Sequence, residues 1–351
     1  RAGFRAATRQ GRACCDFAFI LILREAARMT LLLSEDDVRV LLDMPTALEA
    51  VEESFRRQAS GEDWCHPRRR FELPNRVFLN YMAAADRQSG WMGAKIYTAA
   101  RGVARFLVVL YRAGTGELAA LIEADYLGQM RTGAASGVAT KYMSRQDSRV
   151  AGIIGTGTQA RTQLEAVAGV RKLERVRAFG RDPIRRADFC REMSERLGFP
   201  VSPATSAEEA VRDADIVVTA TGSTKPVLLG AWLAPGTHVN AVGANIVGKR
   251  ELDSDVVARA GVLAVDFIEQ AQLESGDLIY AFGEDASRWK RVCELSEIVS
   301  GKLPGRTSAE EITLFKSNGI AIWDIAVASR VMERAEKEVV GHKVAFGELE
   351  R

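Results

Sequence analysis

The chain has 351 residues, 47% of them hydrophobic, and a formal net charge of +2. This length and apolar content allow two domains with their own cores. The near-neutral charge gives no reason to expect a nucleic acid or a membrane as partner. The three histidines and five cysteines (Cys14, Cys15, Cys65, Cys190, Cys293) lack metal-site spacing, so no metal is predicted. Their odd, scattered arrangement favours a reducing, cytoplasmic location.

Residues 1–28 differ in pattern from the rest of the chain. An apolar run, CCDFAFILIL, follows several arginines, but it is shorter than the about 20 residues that span a bilayer. The charged sequence after it, REAARMT, lacks the small-residue cleavage site of a signal peptide. We interpret residues 1–28 as an extension outside the functional core, which begins at Met29.

A helical region and then a group of strands are predicted after Met29. Helical spacing runs from Ser34, a good capping residue, to Gly61. Alternating apolar runs follow in VFLNYMAA, WMGAKIYT and ARFLVVLYRAGTGELAALIEA, the last broken by a Gly-Thr-Gly turn. They predict antiparallel strands joined by hairpins. The segment LGQMRTGAASGVATKYMS returns to helical spacing.

From Arg149 the pattern changes to short strands that alternate with helices. The apolar runs are RVAGIIG, RVRAFG, ADIVVTAT, THVNAVGA and GVLAVD, which closes the series. Such alternation predicts a parallel sheet covered by helices on both faces. The last segment, SAEEITLFKSNGIAIWDIAVASRVMERAEKE, is interpreted as one long helical pattern with a break allowed at Ser317–Gly319.

The segment RVAGIIGTGTQARTQLEAV contains a glycine-rich turn between a strand and a helix. Gly155, Gly157 and Ala160 fit G-x-G-x-x-A: the first glycine permits the tight turn, the second admits a phosphate, and the alanine packs helix against strand. The helix N-terminus would then face the pyrophosphate. Structural turns also produce lone matches, but this one opens a series of alternating units. It predicts a Rossmann dinucleotide-binding domain over residues 146–304.

The second strand of this series ends where a Rossmann domain reads the ribose. The residues there are Phe179, Gly180 and Arg181. No acid stands at Gly180 to bind a bare ribose, whereas the Arg181 guanidinium can pair with a 2′-phosphate. The sequence therefore favours NADP over NAD, although Asp182 lies close enough to support NAD.

Motifs along the chain resemble those of the ornithine cyclodeaminase / mu-crystallin family. They are MGAK, RTGAASGVATKYM, GTGTQA, NAVGANIVGKRELD and LFKSNGIAIWDIAVA, in the family's order. The resemblance implies an α/β fold: a Rossmann NAD(P)-binding domain and a split α+β domain, residues 29–145 with 305–345. The split domain would bind substrate and form a homodimer. Family members include cyclodeaminases, alanine dehydrogenases and reductases of cyclic ketimines.

The resemblance assigns roles to individual residues. Lys95 matches the lysine beside the reacting carbon, and Arg131 matches an arginine that binds the substrate carboxylate. Arg68 matches a second such arginine, with Arg69 or Arg70 as alternatives if the register differs. Forked guanidinium groups suit a carboxylate, and a buried lysine can exchange a proton with a C=N or C–N centre. By residue type alone, surface or salt-bridge roles are the more common ones for such residues, and the motif context is what favours the site roles.

The predicted cofactor contacts come from the glycine loop, the ribose-reading strand end and the family's contact positions. They are Thr132, Gly155, Gly157, Thr158, Gln159, Gly180, Arg181, Thr221, Val242, Gly243, Lys249 and Ser317.

Two positions depart from the cyclodeaminase pattern. Asn245, in VGAN, stands where those enzymes carry an aspartate that handles protons, and an amide cannot act as a general base. Asn80, in VFLNYM, aligns with the glutamate that holds the ornithine ammonium. Both changes argue against ornithine and against recycling of the cofactor. Trp323 is an aromatic that could shape the pocket, although a core position is the better interpretation.

These observations predict an NAD(P)-dependent oxidoreductase acting on a small α-imino or α-amino acid. Lys95 and Asn245 are the predicted catalytic residues, and Arg68, Lys95, Arg131 and Asn80 the predicted substrate contacts. A cyclic ketimine such as pyrroline-2-carboxylate or piperideine-2-carboxylate is the leading substrate, with alanine-dehydrogenase-like chemistry as a variant. The alternatives are an ornithine cyclodeaminase with tightly bound NAD and a non-catalytic, mu-crystallin-like binding protein.

Overall fold

The computed structural model describes residues 29–346. The predicted extension at 1–28, with Cys14 and Cys15, lies outside the described residues. Two eight-stranded sheets, each packed against helices, make up the described part.

The first part of the described chain is rich in strands. Its elements are β1 (Met29–Leu33), α1 (Glu35–Leu41), α2 (Met44–Ser60), β2 (Asp63–Cys65), β3 (Arg69–Glu72), β4 (Phe78–Asp86), β5 (Trp91–Ala100), β6 (Val103–Arg112), β7 (Leu118–Glu123) and α3 (Asp125–Met143).

The second part alternates strands with helices. Its elements are β8 (Val150–Ile154), α4 (Thr158–Val170), β9 (Arg175–Phe179), α5 (Pro183–Leu197), β10 (Val201–Pro203), α6 (Ala207–Val211), β11 (Ile216–Thr219), β12 (His238–Ala241), α7 (Ser254–Arg259), β13 (Ala260–Val265), α8 (Ile268–Glu274), α9 (Gly276–Phe282), β14 (Val292–Glu294), α10 (Leu295–Val299), β15 (Ile312–Lys316), α11 (Ala321–Glu338) and β16 (His342–Ala345). Short 3₁₀ helices lie at Gly230–Trp232 and Ala286–Arg291.

The first sheet is mainly antiparallel. Its spatial order is β16–β1–β7–β6–β5–β4–β2, with β3 also paired to β4, and the predicted hairpins are confirmed between β4 and β7. Between β5 and β6, Arg101 and Gly102 have φ angles of 50° and 81°. Two successive positive φ values give a turn whose twist matches the flanking strands.

Helices α1 to α3 and α11 pack on the first sheet around a common core. Helix α2 begins where the Asp43 side chain accepts a hydrogen bond from Thr46 N, and it ends at Gly61, whose φ is 76°. The fully buried rings of Phe55 and Trp323 lie 5.3 Å apart between α2 and α11. The interpretation of Trp323 as a core residue is therefore confirmed.

The second sheet is entirely parallel, as predicted. Its order is β10–β9–β8–β11–β12–β15–β13–β14. Strands β8, β11, β12 and β15 lie at its centre and consist almost wholly of buried residues, which is the composition that burial on both faces requires.

The predicted domain border near residue 305 is wrong by about a dozen residues. Strand β15 (Ile312–Lys316) pairs with β12 and β13 inside the second sheet, and only α11 returns to the first sheet. The single long helix predicted over this segment is therefore a strand, a loop at Ser317–Ile320 and a helix. Five consecutive buried residues carry no alternation, so periodicity alone cannot distinguish such a strand from a helix turn. GVLAVD, which forms β13, likewise does not close the series.

The two parts of the molecule meet along α3 and α4. A Cβ on Gly133 of α3 would lie 2.4 Å from the carbonyl oxygen of Thr162, so the helices touch at backbone distance. Gln163 Nε2 also donates a hydrogen bond to Thr132 O at 3.0 Å. This contact holds the N-terminal half of α3, which carries Arg131, against the helices of the second sheet. In the described chain, no helix has the length and apolar character needed to cross a bilayer.

Candidate active site

A cleft of about 440 Å³ separates the two sheets and contains most of the predicted site residues. Those that line it are Arg68, Lys95, Arg131, Thr132, Gly157, Thr158, Gln159, Thr221, Val242, Gly243, Asn245 and Lys249. A cavity of about 1010 Å³ continues beyond the glycine loop and is lined by Gly155, Gly157, Gly180 and Arg181. A wider groove of about 1290 Å³, between α2, α3 and α5, contains none of these residues.

Lys95 lies on β5 with its side chain buried in the cleft. Its Nζ lies 2.7 Å from Asp324 Oδ1 and 5.1 Å from the centre of the Phe106 ring. Burial lowers the pKa of Lys95 to about 8: the Asp324 carboxylate opposes this shift, and the Arg131 and Arg68 guanidinium groups add to it. An ammonium with such a pKa can both give and accept a proton near neutral pH.

Arg131 reaches the same carboxylate from α3. Its Nε donates a hydrogen bond to Asp324 Oδ1 at 3.1 Å, and its guanidinium carbon lies 5.8 Å from the centre of the Trp323 ring. Gly319 has a φ of 79°, and a Cβ there would lie 2.7 Å from Arg131 Nη1, so a larger residue would be strained and would displace the guanidinium. The bond through Nε leaves both Nη groups for a ligand, which is the geometry that a bidentate carboxylate needs.

Arg68 is the one arginine of the HPRRRF segment that is buried and lines the cleft. Its neighbours Arg69 and Arg70 are exposed. Its Nη1 donates to Glu274 Oε2 at 2.7 Å, and its Nη2 donates to the carbonyl oxygens of Asn318 and Gly319. Its Nε is buried without a partner in the described chain.

Two predicted residues lie outside the cleft lining. Asn80 is buried on β4 and its Oδ1 accepts a hydrogen bond from Arg70 Nε at 2.7 Å. Ser317 is buried behind the cleft, and its Oγ donates to Asp266 Oδ2 at 3.2 Å. Met82, on the same face of β4 as Asn80, and Asn318, next to Ser317, line the cleft.

The glycine loop has the shape of a phosphate cradle. Gly155 has a φ of 111°, and a Cβ there would lie 2.3 Å from the carbonyl oxygen of Ala220, so the turn requires glycine. Gly157 is different, because a Cβ there would meet no atom within 4 Å. It caps helix α4, whose first N–H groups donate no hydrogen bond to a capping side chain. Free N–H groups beside an open glycine suit a pyrophosphate.

A buried carboxylate holds the loops opposite the glycine loop. Glu251 Oε1 accepts hydrogen bonds from Thr221 N and Thr221 Oγ1 at 2.6 and 2.8 Å, and Oε2 accepts one from Gly243 N at 2.7 Å. Burial raises the pKa of Glu251. The two loops that carry Thr221 and Gly243 thus have fixed positions relative to each other.

Asp182 lines the far end of the cavity, and its Oδ1 has a structural role. Its side chain accepts hydrogen bonds from the backbone N–H groups of Ile184 and Arg185, which start helix α5. Arg181 lines the cavity there, together with Arg185, Ser223 and Lys225. This end of the cavity therefore offers more cations and hydroxyl groups than carboxylates.

Several functional residues were missed in the sequence. Asp324 and Glu274 contact the predicted cations, and Glu251 orders the cofactor-facing loops. The available signal for Asp324 was an acid beside Trp323 in an otherwise apolar helical run. No group of three or more potential metal ligands occurs among residues 29–346.

Comparison with known proteins assigns the family. The family model "Ornithine cyclodeaminase/mu-crystallin family" matches residues 28–339. An alanine dehydrogenase from Archaeoglobus fulgidus is 36% identical over 331 residues, which cover 90% of this chain and 98% of the relative.

Two solved structures resemble the whole core. The Δ1-pyrroline-2-carboxylate reductase of Thermococcus litoralis, in complex with NADH and L-proline, has a TM-score of 0.86 at 38% identity, covering 90% of this chain and all of that one. An archaeal alanine dehydrogenase dimer with bound NAD has a TM-score of 0.85 at 37% identity, covering 91% and 100% of the two chains. The chain belongs to the ornithine cyclodeaminase/mu-crystallin family.

Proposed function

We propose that this protein is an NAD(P)-dependent oxidoreductase that reduces a small cyclic ketimine carrying a carboxylate. The observation that carries the proposal is the position of Lys95 and Arg131, side by side in a cleft that continues into the glycine loop. The similarity to a pyrroline-2-carboxylate reductase and an alanine dehydrogenase supports the reaction class.

The cofactor would be held by the glycine loop and by the loops facing it. Gly157 and the first turn of α4 suit the pyrophosphate, and Thr221 and Gly243 suit the rest of the dinucleotide. When bound, the reduced nicotinamide supplies a hydride to the imine carbon.

Lys95 is the proposed proton donor to the imine nitrogen. Its ammonium is buried, and a pKa of about 8 keeps it mainly protonated at neutral pH while allowing release of the proton. The substrate carboxylate would bind the free Nη groups of Arg131, with Arg68 adding positive charge beside them. This arrangement fixes the imine in line with both the proton donor and the cofactor.

Reduction is favoured over deamination because Asn245 lines the cleft. An amide can orient an imine or a water molecule, but it cannot take a proton from a substrate amine. A purely binding function would leave no use for a buried lysine whose pKa has been lowered into the working range of a proton donor.

NADP is the proposed preferred cofactor. Arg181 lines the ribose end of the cavity, and Arg185, Ser223 and Lys225 line it as well. Asp182 also lines this cavity, but its Oδ1 caps helix α5. A 2′-phosphate would therefore meet donors here.

We also propose a homodimer formed through the outer face of the first sheet. Phe71, Leu79, Tyr81 and Ile96 are exposed there on adjacent strands, and the rings of Phe71 and Tyr81 stack at 6.0 Å. A contiguous apolar patch of this kind favours a protein partner. The dimeric alanine dehydrogenase supports a second copy as that partner.

The cysteines support the proposed cytoplasmic location. Cys65, Cys190 and Cys293 are free thiols, and burial raises the pKa of Cys65 to about 12 and those of the other two to about 11. Such thiols are unreactive, and the chain shows no sign of a disulfide framework among them.

The deciding experiment measures NAD(P)H oxidation with a panel of substrates. Pyrroline-2-carboxylate and piperideine-2-carboxylate should be reduced with one NAD(P)H consumed per imine, and faster than pyruvate with ammonia. Ornithine with a catalytic amount of NAD should release no ammonia. Proline and ammonia formed efficiently from ornithine would overturn the proposal in favour of a cyclodeaminase, and binding without any turnover would favour a binding protein.

A further inference from the structure

Asp324 is a buried carboxylate whose hydrogen bonds go to the cations of the cleft. It lies in the first turn of α11, and its Oδ1 accepts from Lys95 Nζ at 2.7 Å and from Arg131 Nε at 3.1 Å. Its Oδ2 has no hydrogen-bond partner among residues 29–346. One carboxylate oxygen thus links the proposed proton donor to the proposed carboxylate-binding residue.

Other buried carboxylates of the molecule bond differently. Asp266 Oδ2 accepts hydrogen bonds from the backbone N–H groups of Asn318 and Gly319, each at 2.6 Å. Asp277 Oδ1 accepts from two further backbone N–H groups, at 2.7 and 2.8 Å. These acids hold loops in place. Asp324 has no such backbone bond in the described chain, so its contacts serve the side chains of the cleft and not the course of the backbone.

The charge of Asp324 opposes the effect of burial and of the two guanidinium groups on Lys95. Arg131 faces the ammonium from α3, Arg68 from the position before β3, and the Phe106 ring from β6. Burial and both guanidinium groups favour the neutral amine, whereas the carboxylate on α11 favours the ammonium. The titratable groups in the next layer, which face Arg68, are Tyr97, Glu274 and Asp266.

We propose that Asp324 is a positioning residue that keeps Lys95 protonated and directs both Lys95 and Arg131 toward the substrate. The inference rests on the proposed function. In that reaction the imine carbon gains a hydride, the π electron pair of the C=N bond moves to nitrogen, and nitrogen bonds the proton released by Lys95. Lys95 then regains a proton from solvent. Asp324 transfers no proton and acts through its charge.

The test compares the pH dependence of kcat/KM for imine reduction in charge-changing variants. Asp324→Asn removes the charge at nearly constant size, so its alkaline loss of activity should begin about one to three pH units below that of the wild type. Asp324→Glu keeps the charge, so its alkaline loss of activity should begin at the wild-type pH, even if its rate is lower. The control is Asp86→Asn. Asp86 is a buried acid on β4, in the same sheet as Lys95, and pairs with Arg57 of α2, so this variant should lose activity at the same alkaline pH as the wild type.

A second readout needs no turnover. In protein labelled at lysine side-chain carbons, NMR titration of Lys95, assigned with Lys95→Gln, should give a midpoint of about 8 in the wild type. The titration midpoint of Lys95 should fall in Asp324→Asn and should be unchanged in Asp324→Glu. The glutamate variant also provides the test if the asparagine variant does not fold. An unchanged midpoint in Asp324→Asn, or a shifted one in Asp324→Glu, would overturn the inference. A titration as expected in a protein that reduces no imine would overturn the proposed function instead.

Discussion

At the scale of single residues, the ammonium group of Lys95 is governed by burial and by three charged neighbours. Its pKa of about 8 divides the pH range into two regimes. Reduction of an imine consumes the protonated form, so its rate should be full below this pH and should fall about tenfold per unit above it. Oxidation of the amine needs the neutral form and should rise through the same pH. As the pH rises through this value, the rate of imine reduction should fall and the rate of amine oxidation should rise, each measured at saturating cofactor. If both rates changed with pH in the same direction, the assignment of Lys95 would be contradicted.

Removal of the Lys95 side chain tests the same role directly. Lys95→Ala should lower kcat by about 10²–10⁴, which is the usual contribution of a positioned acid or base. The dissociation constant for NAD(P)H should change little, because the glycine loop and not Lys95 would hold the pyrophosphate. Lys172→Ala, at an exposed lysine, is the matched control. Near-normal turnover in Lys95→Ala would remove Lys95 from the chemistry.

Cofactor choice is also a single-residue question. Arg181→Ala should weaken NADPH by about 1.5–3 kcal/mol, the range of a charge-assisted contact, and leave NADH nearly unaffected. Steady-state KM values for both cofactors measure the difference. The matched control is Arg191→Ala. Arg191 lies on α5 and pairs only with Asp188 in the described structure, so this variant should keep the wild-type ratio of the KM values for NADPH and NADH. A ratio that is the same in Arg181→Ala and in the wild type would mean that Arg181 does not face the ribose.

The site could be predicted as far as its motifs reach. Gly157 belongs to a motif whose spacing carries information, Lys95 and Arg131 follow from the family resemblance, and all three line the cleft. Asp324 and Glu274 could not be found in that way, because each acts on a residue about 200 positions away in the chain. Only tertiary packing brings α8 and α11 to the cations of the cleft.

At the scale of elements, periodicity predicts the alternating strands and fails for the one that is buried along its whole length. Hairpins β4 to β7 alternate apolar and polar residues, and the parallel units alternate strands with helices, so both were predicted correctly. Strand β15 is buried along its whole length and directly precedes α11. Its composition is that of a core helix as much as of a central strand. Its pairing with β12 and β13, and not its own residue pattern, makes this segment a strand.

Two glycines of the βα unit, Gly157 and Gly152, allow a test that separates effects on cofactor binding from effects on stability. Gly157→Ala places its Cβ in open space, so the free energy of unfolding should stay within about 1 kcal/mol of the wild-type value. Cofactor affinity should fall about tenfold or more, because the methyl group would meet the pyrophosphate. Gly152→Ala should do the reverse, because its Cβ would lie 2.3 Å from the carbonyl oxygen of Ala210, and it should cost about 1–3 kcal/mol of stability. Denaturant unfolding and cofactor titration measure the two effects. Equal loss of affinity in the two variants would argue against a phosphate at Gly157.

At the scale of the whole molecule, the cleft needs both sheets. Lys95 and Arg131 come from the first part of the chain, and Thr158, Thr221 and Asn245 from the second. The close contact of α3 with α4 sets the distance between them. The sheet that supplies Lys95 on its inner face presents its apolar patch on the outer face, so the same strands would serve the reaction and the proposed assembly.

The proposed dimer leads to a prediction about that outer face. Ile96 lies on β5 opposite Tyr81 of β4, and both side chains are exposed on the side away from the cleft. In a two-fold interface each substitution occurs twice, so Ile96→Asp would bury two unpaired carboxylates and should raise the dissociation constant of the dimer by about 100-fold or more. Sedimentation velocity at several concentrations should find a dimer for the wild type and a monomer for the variant. Val40→Asp changes an equally apolar residue, 69% exposed on α1, and should stay dimeric. A wild-type monomer, or an Ile96→Asp protein that still dimerises, would show that this face has no such partner.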